Sequence, residues 1–374
     1  MSDPRRVGVG LIGYGDYGRF LIESWRRMPE VEIIAIAGTN PERLQRTAHR
    51  LAIPRAYVGH ESLLADPDVD IVVVASPPFL HARHAVAAAR AGKHLFCEKP
   101  LATRVADGEA ILDAVKAAGV RAVMGYVMRY TPLARRLKRI VDEGLLGELH
   151  RVDLANFAAD ESLPPRHWFW NRRQSGGILV EHGVHFFDLY TWISGSRPCR
   201  TTGHRTTRPG TDQEDRVIAT VEYEDGALAT FYHAFDKPAR LERTRARLGF
   251  DRGYIHVDGW IPLCMELEAA VDEAQYARLV AICPEARVTV REEYDEERQA
   301  MGGGGHCYHV TRMVALRCEP TLDKQAVYAD AVRDALGDLI AAIRDLGHAV
   351  RAPLEAGLES LRIATSVTRR RARP

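Results

Sequence analysis

The chain contains no run of about 18 uninterrupted apolar residues, so its sequence offers no membrane-crossing helix. It also has almost no net charge. Against 51 Lys and Arg stand 50 Asp and Glu, a balance of +1, so no overall field draws it to nucleic acid or to an anionic membrane. Cysteine is sparse. The six residues (Cys97, Cys199, Cys264, Cys283, Cys307 and Cys318) include no Cys-x-x-Cys pair, and free thiols are the expectation. No apolar signal region precedes the first apolar run. Ser2-Asp3-Pro4-Arg5-Arg6 leads straight into it, and the twin arginine lacks a separate apolar region behind it, so a cytoplasmic location is expected. There is no internal repeat and no long low-complexity tract. The basic tail Arg369–Arg373 reads as a solvated helix end in preference to a nucleic-acid patch.

What is present is a composition of 46% hydrophobic and 27% charged residues over 374 positions, ordinary for a soluble globular enzyme with two cored domains. Val7–Ile12 is a short apolar strand. The turn Gly13-Tyr14-Gly15-Asp16-Tyr17-Gly18 follows it, and an amphipathic stretch, Arg19–Met28, comes next. A Gly-x-Gly-x-x-Gly turn between a strand and a helix is the context of dinucleotide binding. Gly13 permits the tight turn, Gly15 lets the backbone approach a pyrophosphate, and Gly18 lets the helix pack on the strand. The helix N-terminus then offers its free N–H groups, and Tyr14, Asp16 and Tyr17 belong to the same cradle. Gly8-x-Gly10-x-x-Gly13 also fits the pattern, but it would place the turn before any apolar run.

Strand and helix signals alternate through about residue 125. Strands are expected at Val31–Ala37, Ile71–Ala75, His94–Cys97 and Ala122–Gly125. Helices are expected at Pro41–Leu51 behind an Asn40 cap, at His81–Ala91 before Gly92, and at Val105–Ala118 before Gly119. Beyond Gly125 the strands alternate in polarity: Leu149–Phe157, Val217–Tyr223, Ala227–Phe235 and Tyr254–Val257, with a hairpin turn at 223–226. Helices are expected at Leu133–Asp142, Gly177–Ile193, Gln325–Leu346 and Leu354–Arg369. The fold class is therefore α/β: a Rossmann domain over 1–125, then an α+β domain over 126–374 with an open, mostly antiparallel sheet. The helices within 325–369 have the option of packing back on the first domain. Pro262–Glu319 has no clear periodicity. Its acidic stretch 291–297 and the run Gly302–Gly305 read as linker and loop.

Cofactor choice is read at the end of the second strand. A carboxylate there would hold a ribose 2′-hydroxyl and repel a 2′-phosphate. The position is Gly38, while Thr39, Asn40 and Arg43 are able to bind a phosphate, so NADP is expected in preference to NAD. Glu42 counts against this, and Arg43 also reads as a solvated helix residue. Ser76 and Pro77 close the third strand as a cofactor wall, with His81 either at the ribose or simply a capped histidine. Glu98 and Lys99 follow the next strand and are expected to contact the cofactor. A lysine at that end is placed to hydrogen-bond a substrate hydroxyl, although spacing alone is met equally by a surface lysine. Further on, Glu181 and His185 lie four apart on one helical face, where a carboxylate would orient a histidine for acid–base work. Half a metal site has the same spacing, but no second cluster completes it, and no metal is expected.

Taken together, the glycine turn, Glu98-Lys99-Pro100, Gly125-Tyr126-Val127-Met128-Arg129-Tyr130 and Gly176-Gly177 leading to Glu181 and His185 resemble the glucose–fructose oxidoreductase/inositol dehydrogenase (Gfo/Idh/MocA) family. The resemblance runs from residue 6 to about 260. It implies hydride exchange between a nicotinamide and a hydroxyl-bearing carbon of a sugar, amino sugar or cyclitol. It makes Lys99 the catalytic lysine and His185 the acid–base histidine, with Glu181 orienting them. It implies homodimers or homotetramers through the open sheet face, and it brings Arg129 and His182 to the substrate. Glu181 stands where the family usually has Asp, His182 where an apolar residue is usual, and Val127 where Asn is frequent. Trp168 offers a face to stack on a sugar or nicotinamide, and Arg172 offers a fork for a carboxylate or phosphate, with aromatic core packing as the competing reading. Two other functions share these residues: a redox-recycling glycosidase or eliminase with tightly held cofactor, and a non-catalytic cofactor sensor.

Overall fold

A computed structural model of the protein describes residues 6–295, 300–303, 305–319 and 321–368. The expectations for Arg369–Arg373, for positions 296 and 297 of the acidic stretch and for Gly304 lie outside the described residues. The chain folds into two compact units. The first comprises the described parts of Met1–Tyr130 with His167–His185 and Tyr328–Thr365. The second comprises Thr131–Arg166, Phe186–Val327 and what is described of Ser366–Pro374.

The first unit carries a parallel six-stranded sheet. Its strands are β1 (Val7–Ile12), β2 (Val31–Gly38), β3 (Arg55–Val58), β4 (Ile71–Val74), β5 (His94–Cys97) and β6 (Ala122–Met124), in the order β3-β2-β1-β4-β5-β6. The helices α1 (Asp16–Trp25), α2 (Pro41–Arg50), α3 (Glu61–Leu64), α4 (His81–Arg90) and α5 (Val105–Ala118) alternate with the strands. This is the expected Rossmann arrangement, whose order reverses at β1/β4 and opens a crevice at the strand C-termini. β4 is buried at every residue, as a strand covered on both faces must be. Asn40 caps α2 by accepting from the Arg43 N–H at 2.9 Å. Gly119 ends α5 in the left-handed region at φ +65°. β3, whose four residues are only partly covered, has no counterpart among the expected strands.

The helix Lys324–Arg344 joins this unit from Tyr328 onward. Trp25, fully buried, packs edge-on against Phe96 at 5.0 Å and donates from Nε1 to the Val332 carbonyl at 2.9 Å.

The second unit is built on nine strands: β7 (Leu149–Ala159), β8 (Pro198–Thr207), β9 (Glu214–Tyr223), β10 (Leu228–Lys237), β11 (Arg243–Phe250), β12 (Gly253–Asp258), β13 (Cys264–Val271), β14 (Arg287–Glu293) and a last one at Arg312–Cys318. All neighbours pair antiparallel except β7 with β10. Phe187, on the helix Val184–Ser194, meets Phe231 of β10 edge-on at 4.8 Å. Pro262–Glu319, without clear periodicity in the sequence, is structured over much of its length. It supplies β13, β14, the last strand and the helix Glu273–Ile282, which Asp272 and Gln275 close with a reciprocal capping box. Gly302 and Gly303 lie in a small hairpin, Ala300–Gly303 against His306–His309. None of the described helices is long and apolar enough to cross a membrane.

Leu339 is fully buried on the helix Lys324–Arg344 within the first unit. Leu339→Ala is therefore expected to cost about 2–5 kcal/mol in urea unfolding. A loss below about 1 kcal/mol would mean that this helix is not part of the Rossmann core.

Candidate active site

At the nucleotide end, Gly13 adopts φ +107°, and a Cβ there would lie 2.3 Å from the Ala75 carbonyl oxygen. A Cβ on Gly18 would lie 2.5 Å from the Gly13 oxygen, whereas one on Gly15 would meet nothing within 4 Å. Gly13 and Gly18 are thus closed to side chains by the protein itself, and Gly15 faces open space. That is the cradle a pyrophosphate needs at the start of α1, and these residues fit a dinucleotide. Asp16 is exposed and pairs with Arg19.

Gly38 is closed for a different reason. A Cβ there would sit 2.2 Å from Tyr14 Cε1, because the buried Tyr14 ring lies across it. The Tyr14 hydroxyl donates to the Asn40 carbonyl at 3.4 Å, and the Arg43 guanidinium stands 5.8 Å over the ring. The Asn40 side chain is engaged in its cap, and Thr39 and Arg43 are exposed. An acid introduced at Gly38 would have to displace Tyr14 before it could meet a ribose.

The ends of β4 and β5 bring the next residues together. Ser76 Oγ lies 2.9 Å from His84 Nδ1, and burial lowers the His84 pKa to about 4, so the ring is neutral. Pro77 leads into the turn that opens α4. His81 has its nitrogens 2.7 Å from the Pro100 and Ser76 carbonyl oxygens and is buried. Its ring is held between these two backbone carbonyls.

Lys99 Nζ donates to Glu181 Oε1 at 2.7 Å and to the Glu181 carbonyl at 2.9 Å. The two side chains keep 19% and 14% of their exposure, so this is a largely enclosed ion pair. The single helix expected over Gly177–Ile193 is instead a π turn, Leu179–Gly183, running into the α-helix Val184–Ser194. In a π turn the ladder steps from i to i+5, which upsets the local i+4 pairing and commonly marks functional sites. Here the Glu181 carbonyl accepts from Lys99. The Glu181 carboxylate also goes to Lys99, where sequence spacing directed it to His185. The His182 and His185 rings lie 6.1 Å apart, and Tyr126 stands 6.3 Å from His185. Burial, with Lys99 adding to it, drives the His182 pKa to about 3, so that ring is neutral.

Beneath Lys99 lies a group that the sequence suggests only as a cofactor contact. Glu98 is buried, with Oε2 accepting from the Lys99 N–H at 3.3 Å. A Cβ on Gly125 would lie 2.7 Å from its carboxylate oxygens, so the acid fills the space a side chain would take. Burial raises its pKa to about 7, and Lys99 pulls the other way. Tyr17 and Tyr328, with rings 6.2 Å apart, adjoin it, and burial raises both hydroxyls. No motif spacing announces this cluster, because its members come from three separate segments.

Trp168 and Arg172 lie on two adjoining turns, Trp168–Trp170 and Arg172–Ser175. Trp168 and Arg172 are partly exposed, and the His167 ring lies 5.1 Å from Trp168. Arg129 is buried and donates to the Arg351 carbonyl at 2.6 Å. Among the described residues, no three His, Cys, Asp or Glu are grouped so as to hold a metal.

Residues 7–126 match the profile of the GFO/IDH/MocA oxidoreductase family with its NAD-binding Rossmann fold, and residues 134–256 match the GFO/IDH/MocA C-terminal domain. Levoglucosan dehydrogenase of Pseudarthrobacter phenanthrenivorans is 30% identical over 261 residues, covering 60% of this chain and 67% of that protein. Myo-inositol 2-dehydrogenase of Thermotoga maritima is 32% identical over 187 residues, covering 50% and 54%. The uncharacterized oxidoreductase YrbE of Bacillus subtilis is 30% identical over 230 residues, covering 60% and 66%. The chain thus spans between about half and two thirds of these relatives. A solved levoglucosan dehydrogenase in complex with NADH and levoglucosan superposes with a TM-score of 0.78 at 21% identity, over 97% of this chain and 96% of that one, and shares the fold.

Glu98 gives a pH prediction. Its folded pKa of about 7 lies above the ordinary 4.5, so the fold favours the neutral acid. That contribution is complete below about 4.5 and is lost as pH rises through about 7. Glu98→Gln mimics the neutral form and is expected to gain on the parent between pH 5 and 8, by about 3 kcal/mol at most. A stability difference that does not change with pH would show that Glu98 does not titrate in this range.

Proposed function

Since the chain belongs to the GFO/IDH/MocA oxidoreductase family, we propose that it is a nicotinamide-dependent dehydrogenase or ketoreductase. Its substrate is a secondary hydroxyl or ketone of a sugar, amino sugar or cyclitol. The observation that carries this reading is Lys99 Nζ at 2.7 Å from Glu181 Oε1, beyond the end of β5 in a sheet whose glycine turn fits a dinucleotide. The dinucleotide supplies hydride exchange when bound. Gly13, Gly15 and Gly18 shape its cradle, Ser76 and Pro77 form the wall beside it, and Tyr14 and Arg43 take the adenosine end.

Lys99 moves the proton. Two of its three N–H groups go to Glu181, and the third is the donor for the substrate oxygen. In reduction Nζ gives its proton to the forming hydroxyl. In oxidation the neutral amine takes that proton, and Glu181 Oε1 holds the resulting charge. His185 is the second acid–base group. The neutral His182 hydrogen-bonds a substrate hydroxyl without adding charge. Trp168 stacks on the ring, and Arg172 binds an anionic substituent. The exposed face of the nine-stranded sheet serves a homodimer or homotetramer, and the enzyme works in the cytoplasm.

NADP is the preferred cofactor. The absence of a carboxylate at Gly38, the Tyr14 ring lying over it and the exposed Arg43 guanidinium support this. Arg43→Ala is expected to raise KM for NADPH about tenfold or more and to leave NADH within about twofold. Equal effects on both would remove Arg43 from the 2′-phosphate.

A spectrophotometric panel of sugars, amino sugars and cyclitols with both cofactors tests the reaction. Lys99→Met is expected to cut turnover about 100-fold or more with nucleotide binding nearly intact. Turnover retained in that variant would sink the role given to Lys99.

A further inference from the structure

The crevice ends of β4 and β5 are adjacent strands in register, with Val74 opposite Cys97. The loop after β4 carries Ser76 and the loop after β5 carries Lys99. Both are rich in proline: Pro77, Pro78 and Pro100 have no N–H, so these loops have few donors with which to bind each other. The His81 side chain bridges them. Its Nδ1 lies 2.7 Å from the Pro100 oxygen, and Nε2 lies 2.7 Å from the Ser76 oxygen. The ring is 1% exposed, at the first position of α4.

We propose that His81 is a positioning residue for the reaction. Its imidazole fixes the carbonyl next to Lys99 against the carbonyl of the nucleotide wall, and so sets the distance between proton donor and hydride donor. This rests on the dehydrogenase reading above. A buried ring is stiff, and Lys99 is one residue from the Pro100 it holds. Displacement of a reacting group by about 1 Å costs on the order of 100-fold in rate. A protonated ring gives an N–H to each carbonyl, and a neutral ring gives one. Burial and the Lys99 charge lower the His81 pKa, the two carbonyls raise it, and the neutral His84 lies three residues along the same helix. In either form the buried ring fills the space between the two carbonyls and so spaces the loops, donating to both when charged and to one when neutral.

The test compares His81→Phe, which keeps the ring volume without donors, and His81→Gln, which restores an N–H. Two measurements are made. In the first, acylation of lysines by an N-hydroxysuccinimide ester is mapped by mass spectrometry, with the exposed Lys116 as internal reference. In the Phe variant Lys99 labelling is expected to rise about fivefold or more relative to Lys116, and Gln should recover at least half of that change. In the second, kcat of the Phe variant should fall about 30-fold while KM for the nucleotide stays within about threefold, again with recovery in Gln.

Unchanged Lys99 labelling in a folded Phe variant overturns the proposal, as does equal loss in Phe and Gln. Should Phe not fold, His81→Asn, which is too short to reach both carbonyls, takes its place with the same outcomes. If the parent turns over no sugar or cyclitol, the dehydrogenase reading fails, and the labelling ratio still decides whether His81 holds the lysine loop.

Discussion

A lysine ammonium in a largely enclosed cleft needs acceptors, and where the chain finds them decides how the rest of the site is arranged. Taking an isolated charge out of water costs several kcal/mol unless it is paired and hydrogen-bonded. Lys99 meets both needs at one residue, with the Glu181 carboxylate at 2.7 Å and the Glu181 carbonyl at 2.9 Å. A regular α-helix would direct that carbonyl along its own axis to the amide four residues on. The π turn at Leu179–Gly183 is the local irregularity that accompanies the backbone contact. The longer arm of Glu, where the family usually has Asp, acts in the same direction. The acid reaches the lysine, and His182, kept neutral mainly by its burial, stands near enough for the Lys99 charge to add to that.

At the nucleotide end the ruling constraint is close approach. Gly13 and Gly18 are glycines because backbone oxygens occupy the place of a Cβ. Gly38 is a glycine because the Tyr14 ring does. One aromatic residue of the turn therefore excludes the acid that would favour NAD and also provides the surface over which Arg43 stands. The glycine turn and the cofactor preference are usually read as separate features of a Rossmann sequence. In this chain Tyr14 links the two positions, so that placing an acid at Gly38 requires a change at Tyr14 as well.

Much of the first unit was legible in the sequence, because its strands are covered on both faces and read as unbroken apolar runs between glycine and proline punctuation. β4 and α5 were placed to within a residue for that reason, whereas β3, short and half-covered, left no trace. The second unit was legible only where polarity alternates. Within Pro262–Glu319, β13 does alternate, with Met265, Leu267 and Ala269 buried between Glu266 and Glu268, whereas β14 is largely exposed and carries little apolar signal. For the site, spacing pointed to the right residues and to some of the wrong partners. Glu181 and His185 share a face in any helix, but an i,i+4 rule has no knowledge of a lysine 82 positions away. Arg129 and His81 carry the polar chemistry of ligand contacts, and both are bonded to backbone carbonyls. No one-dimensional pattern distinguishes a buried donor that braces a loop from one that meets a substrate.

The charges around Lys99 bear on what the cleft favours. Lys99 and Glu181 cancel as a pair, and His182 is held neutral well below physiological pH. Glu98 is driven by burial to titrate near pH 7, so a full negative charge behind the lysine is resisted and not built in. A cleft balanced in this way offers hydrogen bonds and little net field. That suits a neutral polyol, whose hydroxyls need orienting more than neutralising, and leaves recognition of any anionic substituent to a separate cation such as Arg172. It also suits the chemistry. With no strong field biasing the cleft, the proposed proton transfer between Nζ and the substrate oxygen is served by the same residues in either direction.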